Sequence, residues 1–189
     1  NALDKMNIQY ELNKGDGAFY GPKIDFQVKD SLKRAWQCGT IQLDFSMPER
    51  FELEYIGKDN TKHRPVMIHR AILGSLERFI GMLIEHFAGA FPLWLAPEQI
   101  RILPVSDNYN DYARKIMNEL KTGGWRANSD ERNESLGKKI RDAQLEKIPY
   151  SLIVGQKEQD SESVNYRVYG QQEQVSASLA EFINLLKTK

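Results

Sequence analysis

Residues 64–78, R-P-V-M-I-H-R-A-I-L-G-S-L-E-R, concentrate side chains that could do chemistry. The apolar residues 66–68 predict a short strand that delivers His69, and a helix is expected to open near Gly74 and to carry Arg78 one turn later on the same face. Glycine lets another group approach the backbone, and a guanidinium can lie flat over a planar ring. This order is typical of one wall of a nucleotide pocket, and equally of an ordinary strand–helix joint with a surface arginine.

A second candidate region is the strand predicted over residues 35–45. If the strand is regular, one face carries an alternating set of mostly small polar groups, namely Trp36, Cys38, Thr40, Gln42 and Asp44. Gln37 has the opposite parity, and Gly39 could mark a bulge that shifts it. Such a row suits the lining of a polar pocket, although a solvated strand face would have the same composition.

The glycine-rich residues 15–23 offer a phenol and a cation, Tyr20 and Lys23, at the mouth of a strand. The spacing differs from that of a phosphate-binding loop, because a strand follows instead of a helix. The segment is therefore either a bare turn or a place where Tyr20 and Lys23 face an anionic ligand.

Metal binding has no local signature in the chain. Cys38, His63, His69 and His86 are not paired at a zinc-finger spacing. A lone histidine at the end of an apolar strand, such as His69, is more often a core residue than a ligand. The residues alone therefore favour a structural reading of His69.

Length and composition limit the class of protein. The 189 residues allow one large domain or two small ones, and the formal net charge of zero disfavours a nucleic-acid binder held mainly by bulk attraction to phosphates. The single cysteine excludes an intrachain disulfide and fits a reducing cytosol. No apolar run reaches the roughly 20 residues of a membrane span. The chain starts with Asn1, and residues 2–8 resemble the end of a helix, so we expect a fragment of a longer protein.

The predicted elements fall into two groups, with a boundary at residues 92–97. The first group has strands at residues 24–29 and 35–45, a hairpin formed by 51–56 and 62–68, and a helix over 72–87 whose apolar positions are predicted core: Leu76, Phe79, Ile80, Leu83, Ile84 and Phe87. The second group has strands at 100–105, 125–127, 150–154 and 164–169, and helices at 109–120, 136–145 and 178–186, the last with a capping box of Ser178 and Glu181. We predict two domains, residues 1–97 and 98–189.

Several longer sequence motifs give the first group of elements a resemblance to a known family. Residues 64–78 resemble motif 3 of the class II aminoacyl-tRNA synthetases, in the form used by threonyl-tRNA synthetases. G-D-G-A-F-Y-G-P-K-I-D-F at residues 15–26, W-Q-C-G-T-I-Q-L-D-F at 36–45 and F-P-L-W-L-A-P at 91–97 agree. In the second group, D-x-R-N-E-x-x-G-x-K-I-R at 130–141 and V-G-x-K-E at 154–158 resemble the anticodon-binding domain shared by threonyl, prolyl, histidyl and glycyl enzymes.

The resemblance implies a fold class and a function. The fold would be α+β followed by α/β: part of an antiparallel-sheet class II catalytic domain, then a mixed-sheet anticodon-binding domain. The parent would be a cytoplasmic homodimer that joins threonine to ATP and transfers the acyl group to tRNA(Thr), and this chain would be its C-terminal part. Motifs 1 and 2 and two zinc ligands are absent, so the chain alone should not activate threonine. A prolyl or histidyl enzyme and a non-catalytic tRNA-binding paralogue are the alternatives.

The resemblance also implies roles for individual residues. The threonine pocket would be lined by Tyr20, Gln42 and Ala71, and Lys23 would face the reacting groups. Gln37, Thr40 and Ser75 would border the site of ATP, which brings Mg²⁺, and Arg78 would cover the adenine. His69 would be one ligand of a catalytic zinc whose other ligands lie upstream of this chain. Asn133, Arg141, Glu158 and Arg167 would read the anticodon, because amide, carboxylate and guanidinium groups bond base edges.

Overall fold

The computed structural model describes residues 2–189, which divide into one compact unit that ends at Glu85 and a second that runs from His86 to Lys189. The division falls before the predicted boundary at Pro97, because residues 88–99 pack with the second unit: the Gln99 amide donates to the Leu93 carbonyl oxygen, and Arg126 donates to the carbonyl oxygens of Trp94 and Ala96. None of the helices in the described residues is long and apolar enough to cross a membrane.

The first unit is built on a three-stranded antiparallel sheet. Its elements in chain order are α1 (Ala2–Lys5), β1 (Lys23–Lys29), β2 (Ala35–Asp44), α2 (Ser46–Arg50), β3 (Tyr55–Ile56), β4 (Lys62–His63), β5 (Met67–Ala71) and α3 (Leu76–Phe87). The sheet order is β1-β2-β5, and β3 pairs with β4 in a separate two-stranded hairpin. The predicted antiparallel organisation of this part is confirmed.

The predicted hairpin was too long at both ends. Residues 51–54 are not a strand, because the short helix α2 occupies Ser46–Arg50 and Glu52 then adopts a positive φ of 51°. Strand β5 is separate from β4 and pairs with β2 instead. Helix α3 begins at Leu76 rather than Ile72, because Gly74 has a positive φ of 66° and Ser75 accepts a hydrogen bond from the Arg78 amide.

The apolar stripe of α3 is only partly covered. Met82 is buried, whereas Leu76, Ile80 and Ile84 are exposed by 60%, 51% and 48%. The prediction that all six apolar positions of this helix are core is therefore wrong for those three residues. Within residues 2–189, no element of the first unit covers that side of the helix.

The second unit is a five-stranded mixed sheet with helices on it. Its elements are β6 (Ile100–Pro104), a 3₁₀ turn (Asp107–Tyr109), α4 (Asn110–Thr122), β7 (Ala127–Ser129), α5 (Leu136–Leu145), β8 (Tyr150–Val154), α6 (Gln156–Asp160), β9 (Ser163–Val168), β10 (Val175–Ser178) and α7 (Leu179–Lys187). The sheet order is β10-β9-β8-β6-β7, in which β7, β6 and β8 are parallel and the other pairs are antiparallel. The predicted mixed α/β domain is confirmed, and so is the capping box of Ser178 and Glu181.

A fully buried core holds this second unit together. Ile100, Ile102, Ile116, Leu120, Leu152 and Phe182 have no exposed surface and belong to one cluster. Strand β7 lies two residues later than predicted, because Ile100 pairs with Ala127 and the Arg126 carbonyl accepts from the Gln99 amide. The one-turn helix α6 and the edge strand β10 were not predicted, since neither has a periodic apolar pattern of useful length.

The turn between β1 and β2 is closed by one aspartate. The Asp30 carboxylate accepts hydrogen bonds from the backbone amides of Leu32 and Arg34, from the Arg34 guanidinium and from the Trp36 indole at 2.8 Å. Burial works to raise the pKa of this carboxyl, but the bonds from Trp36 and Arg34 outweigh it and lower the pKa to about 2. The ionised carboxylate therefore holds the turn that sets the pairing of the two strands.

We predict that Asp30→Asn destabilises the first unit in a pH-dependent way. A lowered folded-state pKa stabilises the fold fully above the unfolded-state value of about 3.9, and this stabilisation is lost as the pH falls through about 2. The difference in urea midpoint between the original chain and Asp30→Asn should be largest above pH 5 and should shrink between about pH 4 and pH 2. A difference that stays constant down to pH 2 would show that the charge of Asp30 is not what holds the turn.

Candidate functional site

One face of the first unit's sheet carries most of the residues that the sequence predicted for a site. Lys23 of β1 pairs with Gln42 of β2, which pairs with His69 of β5. The neighbouring row consists of Asp25, Thr40 and Ala71. Because side chains two residues apart on a strand share a face, these two rows lie side by side. The opposite face is largely apolar, with Ile24, Ile41, Leu43 and Ile68.

A bulge in β2 adds Gln37 to this face. Phe26 pairs with Gly39, but the next residue, Gln27, pairs with Gln37, so Cys38 is the extra residue. The bulge predicted at Gly39 is confirmed, and Gln37 now has the same orientation as Thr40. The Gln37 amide donates to Oδ1 of Asp25 at 2.7 Å, which fixes it across the two strands.

A cavity of about 400 Å³ opens at the end of this face. It is lined by Phe19, Tyr20, Gln42, Asp44, Ser46, Met47, Arg50 and His69. The Tyr20 hydroxyl donates to Oε1 of Gln42 at 3.0 Å, and the rings of Tyr20 and His69 meet edge to face with centroids 6.3 Å apart. Tyr20 and Gln42, which the family resemblance assigned to one pocket, therefore lie in direct contact beside His69.

The glycine after Tyr20 is required by close packing. A Cβ on Gly21 would overlap the carbonyl oxygen of Leu43, and the Phe45 amide donates to the Tyr20 carbonyl at 3.0 Å. The glycine-rich segment thus runs tightly against the end of β2. This contact, rather than a phosphate-binding loop, explains the glycine at that position and places Tyr20 at the cavity.

Lys23 lies among carboxylates at the other end of its row. Its Nζ is 2.9 Å from Asp25 and 3.8 Å from Asp16, and the hydrogen bond with Asp25 is the main cause that raises the pKa of Lys23. Burial works to raise the pKa of Asp25, but the bond from Lys23 contributes to a net lowering. The lysine is therefore a fixed cation, held on the polar face by its pair with Asp25.

The cavity also contains a buried carboxylate to which the sequence assigned no role. Asp44 is only 2% exposed, and its Oδ1 accepts the backbone amides of Ser46 and Met47, each at 2.9 Å. Its Oδ2 lies 2.8 Å from Nε2 of His69. The bond from the Met47 amide is the main cause that lowers the pKa of Asp44. Its parity with Gln42 was the available signal in the sequence.

Ser75 and Arg78 lie at the start of α3. The Ser75 hydroxyl donates to Glu77 at 2.6 Å and accepts from the Arg78 amide at the start of α3. The Arg78 guanidinium carbon lies 5.4 Å from the ring centroid of Trp36. The prediction that Trp36 shares a face with Thr40 and Gln42 is wrong, because the bulge turns Gln37 to that face and Trp36 to the other. Arg34 lies 5.5 Å from the same ring. The predicted roles of Ser75 and Arg78 toward ATP stay predictions.

Gly74 explains how α3 joins the sheet. With a φ of 66°, it would place a Cβ 3.4 Å from the Gln37 carbonyl oxygen and 3.3 Å from that of Cys38. The sequence predicted that a glycine here lets another group approach the backbone. The group that approaches within this chain is the bulged backbone of β2, so this glycine seats the helix against the polar face's central strand.

Residues 2–189 do not contain a complete ligand set for the zinc that the resemblance implies. They hold no group of three or more histidine, cysteine, aspartate or glutamate side chains that could bind a metal. His63 contacts Asp59 in the hairpin, and His86 packs on Phe87. His69 alone among the histidines lines the cavity, and the hydrogen bond that Nε2 donates to Asp44 leaves the lone pair of Nδ1 free to bind a metal. His69 thus fits the part of a single ligand in a site completed by other chain segments.

The four predicted anticodon residues lie in the second unit on several elements. Asn133 is exposed in the loop before α5, and Arg141 is exposed on α5 itself. Oε2 of Glu158 accepts the Gly155 amide at 3.0 Å, so it also caps α6. Arg167 of β9 pairs with Ser151 and donates to the Gln172 carbonyl at 3.0 Å. Ser151 and Arg167 alternate with core residues, so they face the side of the sheet opposite the main core.

Two family models match the chain in succession. The family described as "tRNA synthetase class II core domain (G, H, P, S and T)" matches residues 3–87, and the "Anticodon binding domain" family matches residues 99–189.

Curated and solved relatives give a consistent picture. Proteins named "Threonine--tRNA ligase" from Clostridium tetani and Caldanaerobacter subterraneus subsp. tengcongensis are 56% and 62% identical over 97% and 88% of this chain. The chain spans only 29% and 26% of their lengths. A crystal structure of the RNA binding domain of threonyl-tRNA synthetase from Cryptosporidium parvum matches 99% of this chain with a TM-score of 0.91 and 42% sequence identity. The match covers 48% of the length of that structure's chain.

A second solved structure, a putative threonyl-tRNA synthetase from Aeropyrum pernix, matches 99% of this chain with a TM-score of 0.71 and 29% sequence identity. The match covers 46% of the length of that structure's chain. Both halves of the chain, the core with its motif 3 and the anticodon-binding half, are thus found together in proteins of one kind. The chain belongs to the threonyl-tRNA synthetase family of class II aminoacyl-tRNA synthetases.

Proposed function

We propose that this chain is the C-terminal part of a threonine–tRNA ligase, which activates threonine with ATP and transfers it to tRNA(Thr). The observation that carries the proposal is the register of the three-stranded sheet, which aligns Lys23, Gln42 and His69 in one row. The names of the relatives favour the threonyl enzyme over a prolyl or histidyl one. The intact row of polar side chains argues against a paralogue that binds tRNA without catalysis.

Threonine would lie in the cavity beside Tyr20, Gln42 and His69, with Ala71 in the next row. Zinc held through His69, when present, supplies a Lewis acid for the amino and hydroxyl groups of threonine. A pocket that must satisfy a hydroxyl rejects valine strongly, because valine leaves the polar partner unpaired. The hydrogen bond between Tyr20 and Gln42 holds the two polar groups together at the cavity, where both would contact the amino acid.

The reacting carboxyl and the phosphates would lie along the row toward Lys23. Its ammonium group, which lies 2.9 Å from Asp25, would stabilise negative charge as the adenylate forms. Gln37 and Thr40 continue the polar face and would border the nucleotide, which carries Mg²⁺. The chemistry asks mainly for orientation and charge stabilisation during displacement at phosphorus.

The remaining parts of the proposal concern the parent protein. We infer a cytoplasmic homodimer in which other segments supply the arginine-bearing motif 2, motif 1 and the missing zinc ligands. The second unit would bind the anticodon of tRNA(Thr). Support comes from the match to the anticodon-binding family and from polar groups on the sheet side opposite the core.

The first test of the proposal is His69→Ala in the full-length parent enzyme, with His63→Ala as the matched control. His63 is a histidine of the same unit whose ring already contacts Asp59 at 2.8 Å in the hairpin. We expect His69→Ala to lose bound zinc and threonine-dependent pyrophosphate exchange together, and His63→Ala to keep both. Full zinc occupancy with normal exchange in His69→Ala would remove the zinc assignment.

A second prediction separates two roles for Arg78. Arg78 and Arg34 both stack on Trp36, at 5.4 and 5.5 Å, but Arg78 alone is expected to cover adenine. A cation over a desolvated ring contributes up to about 2 kcal/mol, so Arg78→Ala should lower kcat/KM for ATP by up to about 30-fold, with threonine binding less affected. Arg34→Ala should leave ATP kinetics unchanged. Equal effects of both substitutions would assign Arg78 to packing on Trp36.

A third prediction concerns the anticodon. Replacing Asn133, Arg141 or Arg167 by Ala, or Glu158 by Gln to preserve the cap of α6, should weaken charging of tRNA by about 1–3 kcal/mol per lost base contact. Adenylate formation should remain nearly unchanged. The loss should depend on the anticodon sequence, because phosphate contacts would weaken all tRNAs alike.

The control for the anticodon variants is Arg114→Ala. Arg114 is an exposed arginine of α4 that pairs with Glu131 at 2.6 Å, and it has no predicted role with tRNA. Charging of transcripts with matched and altered anticodons by each variant is the measurement. If all four substitutions keep the full preference for the threonine anticodon, the second unit positions tRNA without reading it.

A further inference from the structure

The Asp44 carboxylate contacts both the turn into α2 and the ring of His69. We infer that Asp44 is a positioning residue that fixes the tautomer and the orientation of His69, so that Nδ1 is the nitrogen available to a divalent metal ion. This inference rests on the proposed zinc function and deepens it. It assigns a role to a side chain that would not touch metal, amino acid or nucleotide.

The carboxylate is held rigidly enough to orient another group. Asp44 is 2% exposed, and its Oδ1 receives the amides of Ser46 and Met47, each at 2.9 Å. The backbone of the chain therefore fixes the carboxylate before any contact with the ring is made. Oδ2 is left to accept from Nε2 of His69 at 2.8 Å.

The sheet register delivers the histidine to this carboxylate. His69 pairs with Gln42 across β5 and β2, and Asp44 follows Gln42 by two residues on the same face. Diagonal neighbours of this kind lie within reach of long side chains. The Tyr20 ring, with its centroid 6.3 Å from that of His69, limits the other side of the imidazole. The orientation of the His69 ring is thus set by its position on β5, by the Asp44 carboxylate and by the Tyr20 ring.

The chemistry of the pair decides the tautomer. An ionised carboxylate can only accept hydrogen bonds, so Nε2 of His69 must carry the proton. In a neutral imidazole the other nitrogen, Nδ1, then has the free lone pair that a metal requires. Within residues 2–189, His69 has no second hydrogen bond that would occupy Nδ1. Ligating histidines usually have such a carboxylate partner, and its loss costs about 10–100-fold in metal affinity.

Asparagine at position 44 would reverse this arrangement without changing its size. Its single amide oxygen can still accept the amides of Ser46 and Met47, which leaves Nδ2 facing the ring. An N–H donor opposite Nε2 favours the tautomer in which Nδ1 is protonated, and the lone pair needed by the metal is lost. A purely structural role of Asp44, in which it holds the turn into α2 through the amides of Ser46 and Met47, would survive this substitution.

The chain offers a matched control in the pair of Asp59 and His63. Their contact is also 2.8 Å, but both side chains are largely exposed, at 55% and 43%, and the pair lies in the β3–β4 hairpin away from the cavity lining. Asp59→Asn therefore changes an equivalent aspartate–histidine pair that should have no influence on metal binding.

The experiment compares the unsubstituted full-length parent enzyme with three variants of it: Asp44→Asn, Asp59→Asn and His69→Ala. Zn²⁺ affinity is measured by competition with a chelator, the visible spectrum is recorded after substitution with Co²⁺, and folding is followed by thermal unfolding. We expect Asp44→Asn to bind Zn²⁺ about 10–100-fold more weakly and to shift the Co²⁺ bands. Asp59→Asn should match the unsubstituted enzyme.

The outcomes distinguish this inference from the function on which it rests. If His69→Ala loses zinc but Asp44→Asn binds it normally, Asp44 only holds the turn into α2 and the inference is wrong. If His69→Ala keeps zinc, the zinc function itself is wrong. Should Asp44→Asn fail to fold, ¹⁵N chemical shifts of His69 in the unsubstituted enzyme decide. A proton on Nε2 supports the inference, and a proton on Nδ1 overturns it.

Discussion

The pairing of β2 with β1 on one side and β5 on the other is the constraint on which the site depends. Because side chains alternate across a sheet, a shift of one residue in either ladder would move Gln42 or His69 to the apolar face. The bulge at Cys38 makes a local exception, which moves Gln37 to the polar face. The Asp30 turn closes β1 onto β2, and Gly74 seats α3 against the bulge. Local backbone features therefore decide which side chains meet.

The two units differ in how completely they bury apolar surface. The second unit encloses a core in which residues such as Ile102 and Phe182 are fully buried. The first unit leaves Ile68, Leu76 and Ile80 exposed by 51–63%, on the side of the sheet away from the cavity and along α3. Contiguous exposed apolar surface is typical of an interaction surface. The chain spans less than a third of its curated relatives, and we propose that further segments of the parent cover this surface and complete the metal site.

Much of this organisation could be predicted from the sequence, for physical reasons that differ by element. The mixed sheet follows from regularly alternating apolar strands and helices, and the row of Gln42 and Thr40 follows from period-two spacing in one long strand. The position of Arg78 over Trp36 could not be predicted, because it depends on where α3 starts, and Gly74 delays that start. The sequence predicted that Asp44 shares a face with Gln42, but the hydrogen bonds of Asp44 depend on helix α2, which was not predicted. Long-range pairing such as Gln42 with His69 needed the structure or the family resemblance.

The central claim is that the polar face of β1, β2 and β5 binds threonine at one end and the nucleotide along its length. The most direct measurement is a crystal structure of the full-length parent enzyme with a non-hydrolysable analogue of threonyl-adenylate. The account predicts that the threonyl side chain lies against Tyr20, Gln42 and His69, with the phosphate near Lys23. An analogue bound away from this face, or with its amino acid out of reach of Gln42 and His69, would contradict it.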